Sequence, residues 1–531
     1  MKRIYSPIYL SLVLAAIFTS CGSQKPITTT DLAKLSLKTT PVAEKDLMRW
    51  SHLDLLKDTV PGMSVDRAYN EILKNKKGQK VIVGIVDSGV DINHDDLKAA
   101  IWTNPNEIAG NGIDDDNNGY IDDVHGWNFL GNVVNEQLEM TRIVKKGPGT
   151  PDYEKAKEKL AEELKGIKEE KQQLDFLLNA EKVIKTHLNK DTFTLDEVKG
   201  IVSNEASVKQ AKAILTQILS VTTKEKFDAE IEEYKDYVYE NLNYRLNVEF
   251  DGRAIVGDNP NDLNDVTYGN NNVIGPDPKA AKHGTHVAGI VAQMRGNNQG
   301  GDGVAHTAEI MVIRAVPNGD EYDKDIALGI RYATDNGAKV INGSFGKYFS
   351  QNKEWVMDAI KYAASKDVLV VIAAGNESYD LDVTNKYPND TYDGSPEYAN
   401  NVLIVGALSP SYDTKMVADF SNYGKNNVDI YAPGDQIYAT TPLNTYEYLQ
   451  GTSMASPNVA GVAALLRSYY PTLTAVQVKK IIMESGIPLK NTVLLGEDKR
   501  KTNFSEASKS GCIINAYNAL LLAKKTAKKK R

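Results

Sequence analysis

The sequence predicts an α/β fold with a mostly parallel central sheet, and two patterns support that prediction. Short apolar runs rich in β-branched residues are typical of strands buried on both faces. They occupy residues 80–90 (KVIVGIVDSGV), 309–316 (EIMVIRAV), 338–346 (AKVINGSFG), 368–376 (VLVVIAAGN) and 402–409 (VLIVGALS). Amphipathic stretches at 324–337 and 353–367 lie between some of these runs and predict helices. This alternation indicates helices on the faces of a parallel sheet, in which functional groups gather at the carboxyl ends of the strands.

Residues 145–250 interrupt this alternation with a helical pattern of their own. Apolar residues recur there at helical spacing among lysines and glutamates, namely Leu160, Leu164, Ile167, Leu174, Leu178 and Leu188. A capping-box pattern at Thr194 and Glu197 precedes a second amphipathic run from about 205 to 245. We predict an inserted helical hairpin, whose charged face is either solvated surface or a partner site.

The composition is that of a soluble globular chain. It has 531 residues, 41% of them hydrophobic, and a formal net charge of −8. A net negative charge without a basic face argues against nucleic-acid binding. The basic cluster at the end of the chain (KKTAKKKR) closes a C-terminal extension over 491–531 and is typical of a solvated tail.

The first 20 residues are predicted to be a signal peptide. Lys2 and Arg3 precede an 11-residue apolar run, IYLSLVLAAIF, which is too short to span a membrane as a mature helix. The following FTSC resembles a bacterial lipobox, which implies lipidation of Cys21 and a tether over 21–45. We therefore expect a location at the cell envelope, with the outer membrane favoured; a plain secretory signal with an incidental cysteine is the alternative.

The stretch GTSMASPNVAG (451–461) raises the question of a nucleophile. Ser453 stands just ahead of a predicted buried helix and could be a simple helix cap or a reactive hydroxyl. A serine hydroxyl needs a base within reach and a group that orients the base. His283 in HGTHVAGI and Asp87 at the end of the first buried run could supply them, although each alone could also cap a turn or helix.

Together, VDSGVDINHDDL, HGTHVAGI and GTSMASPNVAGVAALL resemble the three catalytic blocks of the subtilisin-like serine proteases. The resemblance covers roughly residues 75–130 and 250–485. It implies a three-layer subtilisin-like fold, with the catalytic domain divided into 46–144 and 251–490 by the insertion. It also implies that Asp87 orients the imidazole of His283, that His283 acts first as general base and then as general acid, and that Ser453 attacks the scissile carbonyl.

The resemblance also implies an oxyanion donor and a substrate-binding segment. Asn376 stands in the AAGN setting of the family's oxyanion asparagine. VINGSFG resembles the strand that pairs with an extended substrate, so that Ser344, Phe345 and Gly346 should line the cleft. Lys347 follows where the family commonly has a second glycine, which leaves the breadth of the groove open.

An acidic turn at 111–123 (NGIDDDNNGYIDD) suggests a metal site. Its oxygen-bearing side chains follow the start of a calcium loop, with the predicted ligands Asp114, Asp116, Asn118 and Asp122. The twelfth position carries His125 instead of glutamate, so the loop is no complete EF-hand. We expect a structural calcium ion; the alternative is a solvated acidic turn.

The sequence thus predicts a serine endopeptidase that acts on proteins or peptides. A non-catalytic binding protein that holds a partner with the helical insertion is the alternative. An esterase is disfavoured, because no G-x-S-x-G elbow surrounds Ser453.

Overall fold

The computed structural model describes residues 25–32, 35–38 and 40–528. The central sheet has nine strands in the order β10-β13-β7-β6-β5-β4-β1-β3-β2, and two further pairs, β8-β9 and β11-β12, lie outside it. The strands are β1 (Val81–Asp87), β2 (Gly126–Asn128), β3 (Ala308–Arg314), β4 (Val340–Gly343), β5 (Leu369–Ala373), β6 (Val402–Leu408), β7 (Ile430–Pro433), β8 (Ile437–Thr441), β9 (Thr445–Leu449), β10 (Ile487–Pro488), β11 (Thr492–Leu495), β12 (Arg500–Asn503) and β13 (Cys512–Ile513).

The helices surround this sheet and form a separate block between β2 and β3. They are α1 (Thr29–Leu32), α2 (Glu44–Leu47), α3 (Leu55–Asp58), α4 (Val65–Ala68), α5 (Glu139–Lys146), α6 (Tyr153–Leu188), α7 (Leu195–Gly200), α8 (Ala206–Leu219), α9 (Lys224–Glu240), α10 (Arg253–Val256), α11 (Lys282–Ala292), α12 (Asp323–Asp335), α13 (Lys353–Ser365), α14 (Thr452–Tyr469), α15 (Ala475–Ser485) and α16 (Ala516–Lys528). Within the described ranges, no helix combines the length and apolarity needed to cross a membrane.

The predicted α/β class with a mostly parallel sheet is confirmed. The pairs along the central sheet from β2 to β13 are parallel, and its edge pair β10-β13 is antiparallel. The two smaller pairs, β8-β9 and β11-β12, are antiparallel hairpins outside it. The inner strands are buried along almost their whole length, as their β-branched sequences predict.

The register of the inner strands determines where functional groups can meet. Gly343 at the end of β4 pairs with Val86 of β1 on one side and with Ile372 of β5 on the other. The residues that follow these strands therefore emerge level with each other at one edge of the sheet. Helix α14 crosses beneath this edge and packs against β1 and β4–β7.

The insertion is larger and begins earlier than predicted. It is not a hairpin: the 36-residue helix α6 is followed by α7, α8 and α9, and α6 packs against α5, α8 and α9. The block has its own hydrophobic core, which includes Met140 and Ile143 of α5, so the helical region starts at Glu139 rather than at residue 145. Phe349, which follows β4, also belongs to this core and connects the insertion to the main sheet.

Both ends of the described chain pack against the main unit. The Ile27 side chain is buried, and its backbone N–H and carbonyl pair with the Asn518 side chain at 2.8 and 3.1 Å. The segment 21–45 is therefore not a free tether throughout, because the chain is already held at Ile27. The signal peptide and Cys21 lie outside the described residues.

The C-terminal region is likewise part of the fold rather than an appendage. Strand β13 extends the central sheet beside β7, and α16 packs on α4 and α15. Cys512 in β13 is buried and forms no disulfide within the described residues. The predicted boundary at 491 therefore cuts through a continuous hydrophobic core.

Candidate active site

Asp87 and His283 form the first contact of the candidate site. Asp87 is the last residue of β1 and is 1% exposed, and its Oδ1 lies 2.7 Å from Nδ1 of His283. The His283 side chain is still 39% exposed. Burial by itself would lower the pKa of His283, but the Asp87 charge and hydrogen bond outweigh it and raise the pKa above the ordinary value of 6.5. A carboxylate in this position also fixes the imidazole orientation and leaves Nε2 for chemistry.

A glycine lets helix α11 approach the end of β1. A Cβ at Gly284 would lie 2.1 Å from the carbonyl oxygen of Gly89 and 3.1 Å from the Asp87 carboxylate. The Gly284 N–H also donates to the Ser88 hydroxyl at 3.2 Å. The turn after β1 and the first turn of α11 therefore fit together only because residue 284 lacks a side chain.

The second histidine of the same block is held by the backbone of the β8-β9 hairpin. His286 is buried, and its Nε2 lies 3.0 Å from the Ile437 carbonyl and 3.1 Å from the Glu447 carbonyl. Burial lowers its pKa to about 3, so the ring is neutral. These contacts give His286 a packing role.

Ser453 lies in the first turn of α14 and is partly exposed in an otherwise buried stretch. Its hydroxyl donates to the carbonyl oxygen of Ser344 at 3.2 Å. Among the described contacts, no hydrogen bond joins Ser453 to His283. The structure thus brings Ser453 against the predicted substrate segment and pairs His283 with Asp87.

Pro457 lies inside α14, beyond its first turn. A proline has no N–H to donate to the carbonyl four residues earlier, which here is that of Ser453. The Ser344 hydroxyl donates to this Ser453 carbonyl at 2.8 Å and replaces the missing helical bond. Pro457 therefore leaves the Ser453 carbonyl available as an acceptor, and the bond from Ser344 joins the first turn of α14 to the segment after β4.

Asn376 follows β5 and caps the same helix from outside. Its Oδ1 accepts from the backbone N–H of Thr452 at 2.8 Å and from the Thr452 hydroxyl at 3.0 Å. The Thr452 hydroxyl also accepts from the N–H of Gly375 at 2.9 Å. Because Oδ1 is occupied by donors, the amide Nδ2 is the group left to donate, and it lies beside Gly451. This geometry suits a donor aimed at a developing oxyanion.

We expect Asn376→Ala to lower kcat by roughly 10²–10³-fold with little change in KM, because the donor acts on the transition state. Steady-state kinetics on a peptide substrate measures both constants. Thr452→Ser is the matched control: it keeps the hydroxyl that orients Asn376 and should remain close to the wild type. A change confined to KM would place the oxyanion donor elsewhere.

The predicted substrate segment lies directly after β4. The Ser344 carbonyl and hydroxyl contact Ser453 as described, and Phe345 and Gly346 are partly exposed beside it. Lys347 is buried and turns away from this surface: its Nζ lies 2.9 Å from Oε2 of Glu139, at the start of the insertion. Lys347 therefore does not fill the groove.

Three residues near the site were not identified from the sequence. Thr452 orients Asn376, and its position between Gly451 and Ser453 is the sequence feature that could have identified it. Glu377 follows Asn376 and accepts from the Asn376 N–H at 2.8 Å. Lys386 is 3% exposed and donates to the Phe345 carbonyl at 3.0 Å, and no local pattern marks it.

The acidic turn forms a carboxylate cluster that differs from the predicted ligand set. Oxygen atoms of Asp114, Asp116 and Glu107 all lie within 4.8 Å of one another. Asp122 is directed into the turn instead and accepts from three backbone N–H groups at 2.8–3.2 Å. Asn118 donates its side-chain N–H to Asp123 at 3.0 Å. Glu107 was missed because it precedes the motif.

A carboxylate, an imidazole and a hydroxyl at one edge of a parallel sheet are typical of hydrolases with a serine nucleophile. The family model of peptidase S8, the subtilase family, matches residues 78–509. The chain therefore belongs to the subtilase family.

Several named proteases match part of this chain. This chain is 44% identical over 187 residues to a thermophilic serine proteinase of Bacillus sp. (strain AK1), and the alignment covers 35% of this chain and 42% of that protein. It is 42% identical over 187 residues to thermitase of Thermoactinomyces vulgaris, covering 35% and 61% of the two chains. Subtilisin DY of Bacillus licheniformis is 37% identical over 216 residues, with coverage of 40% and 74%. The aligned parts thus span about half the length of the first two relatives.

Proposed function

We propose that this chain is a serine endopeptidase that hydrolyses peptide bonds in proteins. Family membership supports this activity, and the 2.7 Å contact between Asp87 and His283 is the observation that carries it. Asp87 holds and stabilises the imidazole, His283 acts as base and then acid, Ser453 is the nucleophile, and Asn376 stabilises the oxyanion.

The reaction begins with the Ser453 hydroxyl leaving the Ser344 carbonyl and donating to Nε2 of His283. Its oxygen attacks the scissile carbonyl carbon as the proton moves to the imidazole. The oxyanion then receives a hydrogen bond from Nδ2 of Asn376, close to the positive N-terminal end of α14. His283 then returns the proton to the leaving amine. In the second half of the reaction, water attacks the acyl-enzyme with His283 as its base, and the proton passes to the Ser453 oxygen as the acid product leaves.

Hydrolysis of casein by the purified protein, blocked by a fluorophosphonate, tests this proposal. The alternative is a non-catalytic protein that binds a partner through the insertion α5–α9. Absence of both hydrolysis and labelling would favour that alternative.

We propose further that the acidic turn holds a structural calcium ion through Asp114, Asp116 and Glu107. Oxygen donors at this spacing suit calcium, and Glu107 Oε2 is buried with no hydrogen-bond partner among the residues that the structure describes. The ion would stabilise the loop between β1 and β2 and would take no part in the chemistry.

A chelator should therefore lower the melting temperature of the wild type. An ion at 100 times its dissociation constant stabilises a native state by about 2.7 kcal/mol. The double variant Asp114→Ala, Asp116→Ala should melt at the same temperature with and without chelator in differential scanning calorimetry. Equal chelator sensitivity of both proteins would place any calcium elsewhere.

We also propose that the protein is anchored to the cell envelope by lipid on Cys21. The lipobox-like FTSC and the preceding apolar run support this location. Each buried methylene of an acyl chain contributes about 0.8 kcal/mol, so a multiply acylated cysteine holds firmly to a membrane.

Cys21→Ser should move the protein from the detergent-extracted membrane fraction to the soluble fraction with peptidase activity retained. Fractionation followed by immunoblotting measures this. A wild type that is already soluble and carries no lipid by mass spectrometry would instead be a secreted protease.

A further inference from the structure

Two buried lysines adjoin the substrate segment, and they differ in how their charge is compensated. The Lys347 ammonium lies 2.9 Å from the Glu139 carboxylate, 3.1 Å from that of Asp323 and 2.8 Å from the Glu321 carbonyl. All three of its N–H groups thus have acceptors. Lys386, which is 3% exposed, has one hydrogen-bond acceptor in the described chain, the Phe345 carbonyl at 3.0 Å.

The Lys386 ammonium lies directly behind the partly exposed substrate segment that follows β4. A Cβ at Gly346 would be only 2.2 Å from Nζ, so the absence of a side chain there makes room for it. Residue 347 pairs with Tyr387 through backbone bonds of 2.8 and 2.9 Å, which fixes Lys386 beside this segment.

The segment after β5 forms the wall opposite the substrate segment, and the space between these two walls is called the gap. Glu377 is near enough for its charge to act on the pKa of Lys386, and its carboxylate is already bound to the Asn376 N–H and to Nδ2 of Asn422 at 3.3 Å. The ammonium therefore adjoins the wall that contacts Ser453 and lies within electrostatic reach of the wall that carries Asn376. The proposed mechanism places the scissile carbonyl between Ser453 and Asn376, and on that mechanism the side chain of the residue that contributes this carbonyl would enter the gap.

A buried ammonium with two unused N–H groups is costly unless a ligand completes its shell. The buried carboxyl of Glu321 acts electrostatically on Lys386 but forms no ion pair with it in the described contacts, and its Oε1 has no hydrogen-bond partner there. Burial lowers the pKa of Lys386 to about 8 and raises that of Glu321 to about 7. Glu321 can thus take up a proton when a second carboxylate approaches the ammonium.

We propose that Lys386 is a specificity-determining residue that receives an acidic side chain, glutamate or aspartate, at the position before the scissile bond. This inference rests on the proposed endopeptidase function. The ligand carboxylate accepts the unused N–H groups of Lys386 between the two walls of the cleft.

Three peptide amides that differ only in the residue before the scissile bond, Glu, Gln or Leu, test this role. We expect the wild type to cleave the Glu peptide with kcat/KM roughly 10- to 100-fold above that of the isosteric Gln peptide, as a charge-assisted hydrogen bond supplies. Lys386→Met should lose this preference and still cleave the Leu peptide. Lys353→Met, which removes a charge above Tyr387 outside the gap, is the control and should keep it.

Equal cleavage of the Glu and Gln peptides by the wild type, or an unchanged ratio in Lys386→Met, would overturn the assignment. If Lys386→Met fails to fold, inhibition of the wild type by matched peptide aldehydes ending in Glu or Gln decides, since equal inhibition constants contradict the proposal. Failure to cleave any peptide, together with no fluorophosphonate labelling, would instead reject the endopeptidase function itself.

Discussion

Ser453→Ala is expected to abolish peptide cleavage, with kcat falling by roughly 10⁵–10⁶-fold. The substitution deletes the attacking oxygen and leaves His283 and Asp87 in place. The only described contact that the hydroxyl loses is a 3.2 Å bond to the Ser344 carbonyl, so the free energy of unfolding should change by about 0.5 kcal/mol or less. Steady-state kinetics and a denaturant titration measure the two effects separately.

Ser456→Ala is the matched control for this variant, since Ser456 lies one helical turn further along α14. Its hydroxyl is buried and donates to Asn342 Oδ1 at 2.7 Å, so the change should cost stability rather than chemistry. Undiminished hydrolysis by Ser453→Ala would reject the nucleophile assignment.

His283→Ala is expected to reduce kcat nearly as much, and the double variant with Ser453→Ala should be no worse than either single one. The base and the nucleophile act as a unit, so an enzyme that lacks either one turns over substrate no faster than an enzyme that lacks both. Because Asp87 is 1% exposed and would lose the imidazole partner, this variant should also be less stable by about 1–3 kcal/mol. Additive losses in the double variant would contradict a concerted role.

The same histidine sets an expectation for pH. The general base must be neutral, and the raised pKa of His283 keeps it protonated to a higher pH than an ordinary imidazole. In the wild type, kcat/KM should therefore fall as the pH decreases through a midpoint above 6.5. A midpoint clearly below that value would show that Asp87 does not raise the pKa of the working base.

Features carried by local sequence could be predicted from it. Buried β-branched runs identified the inner strands β1 and β3–β6, and polar residues at their ends marked Asp87 and Asn376 as candidates for one edge of the sheet. The parallel register then places these ends level, which explains why residues far apart in sequence meet there.

Features that depend on pairing between distant segments could not be predicted. The ion pair of Lys347 with Glu139 joins the cleft to the insertion across 208 positions, and neither residue carries a local signature of the other. The retention of Ile27 by Asn518, 491 positions away, is of the same kind. Glu107 was missed for a local reason, because it precedes the calcium-loop motif. The sequence also does not show that α14 begins at Thr452, which places Pro457 beyond the first turn.

Labelling with a biotinylated fluorophosphonate, followed by mass spectrometry of the digested protein, tests the central claim most directly. We expect one adduct, on the peptide that contains Ser453, and loss of labelling in both Ser453→Ala and His283→Ala. A folded wild-type protein that takes up no probe, or that is labelled equally after Ser453→Ala, would contradict the assignment of Ser453 as the nucleophile of a serine endopeptidase.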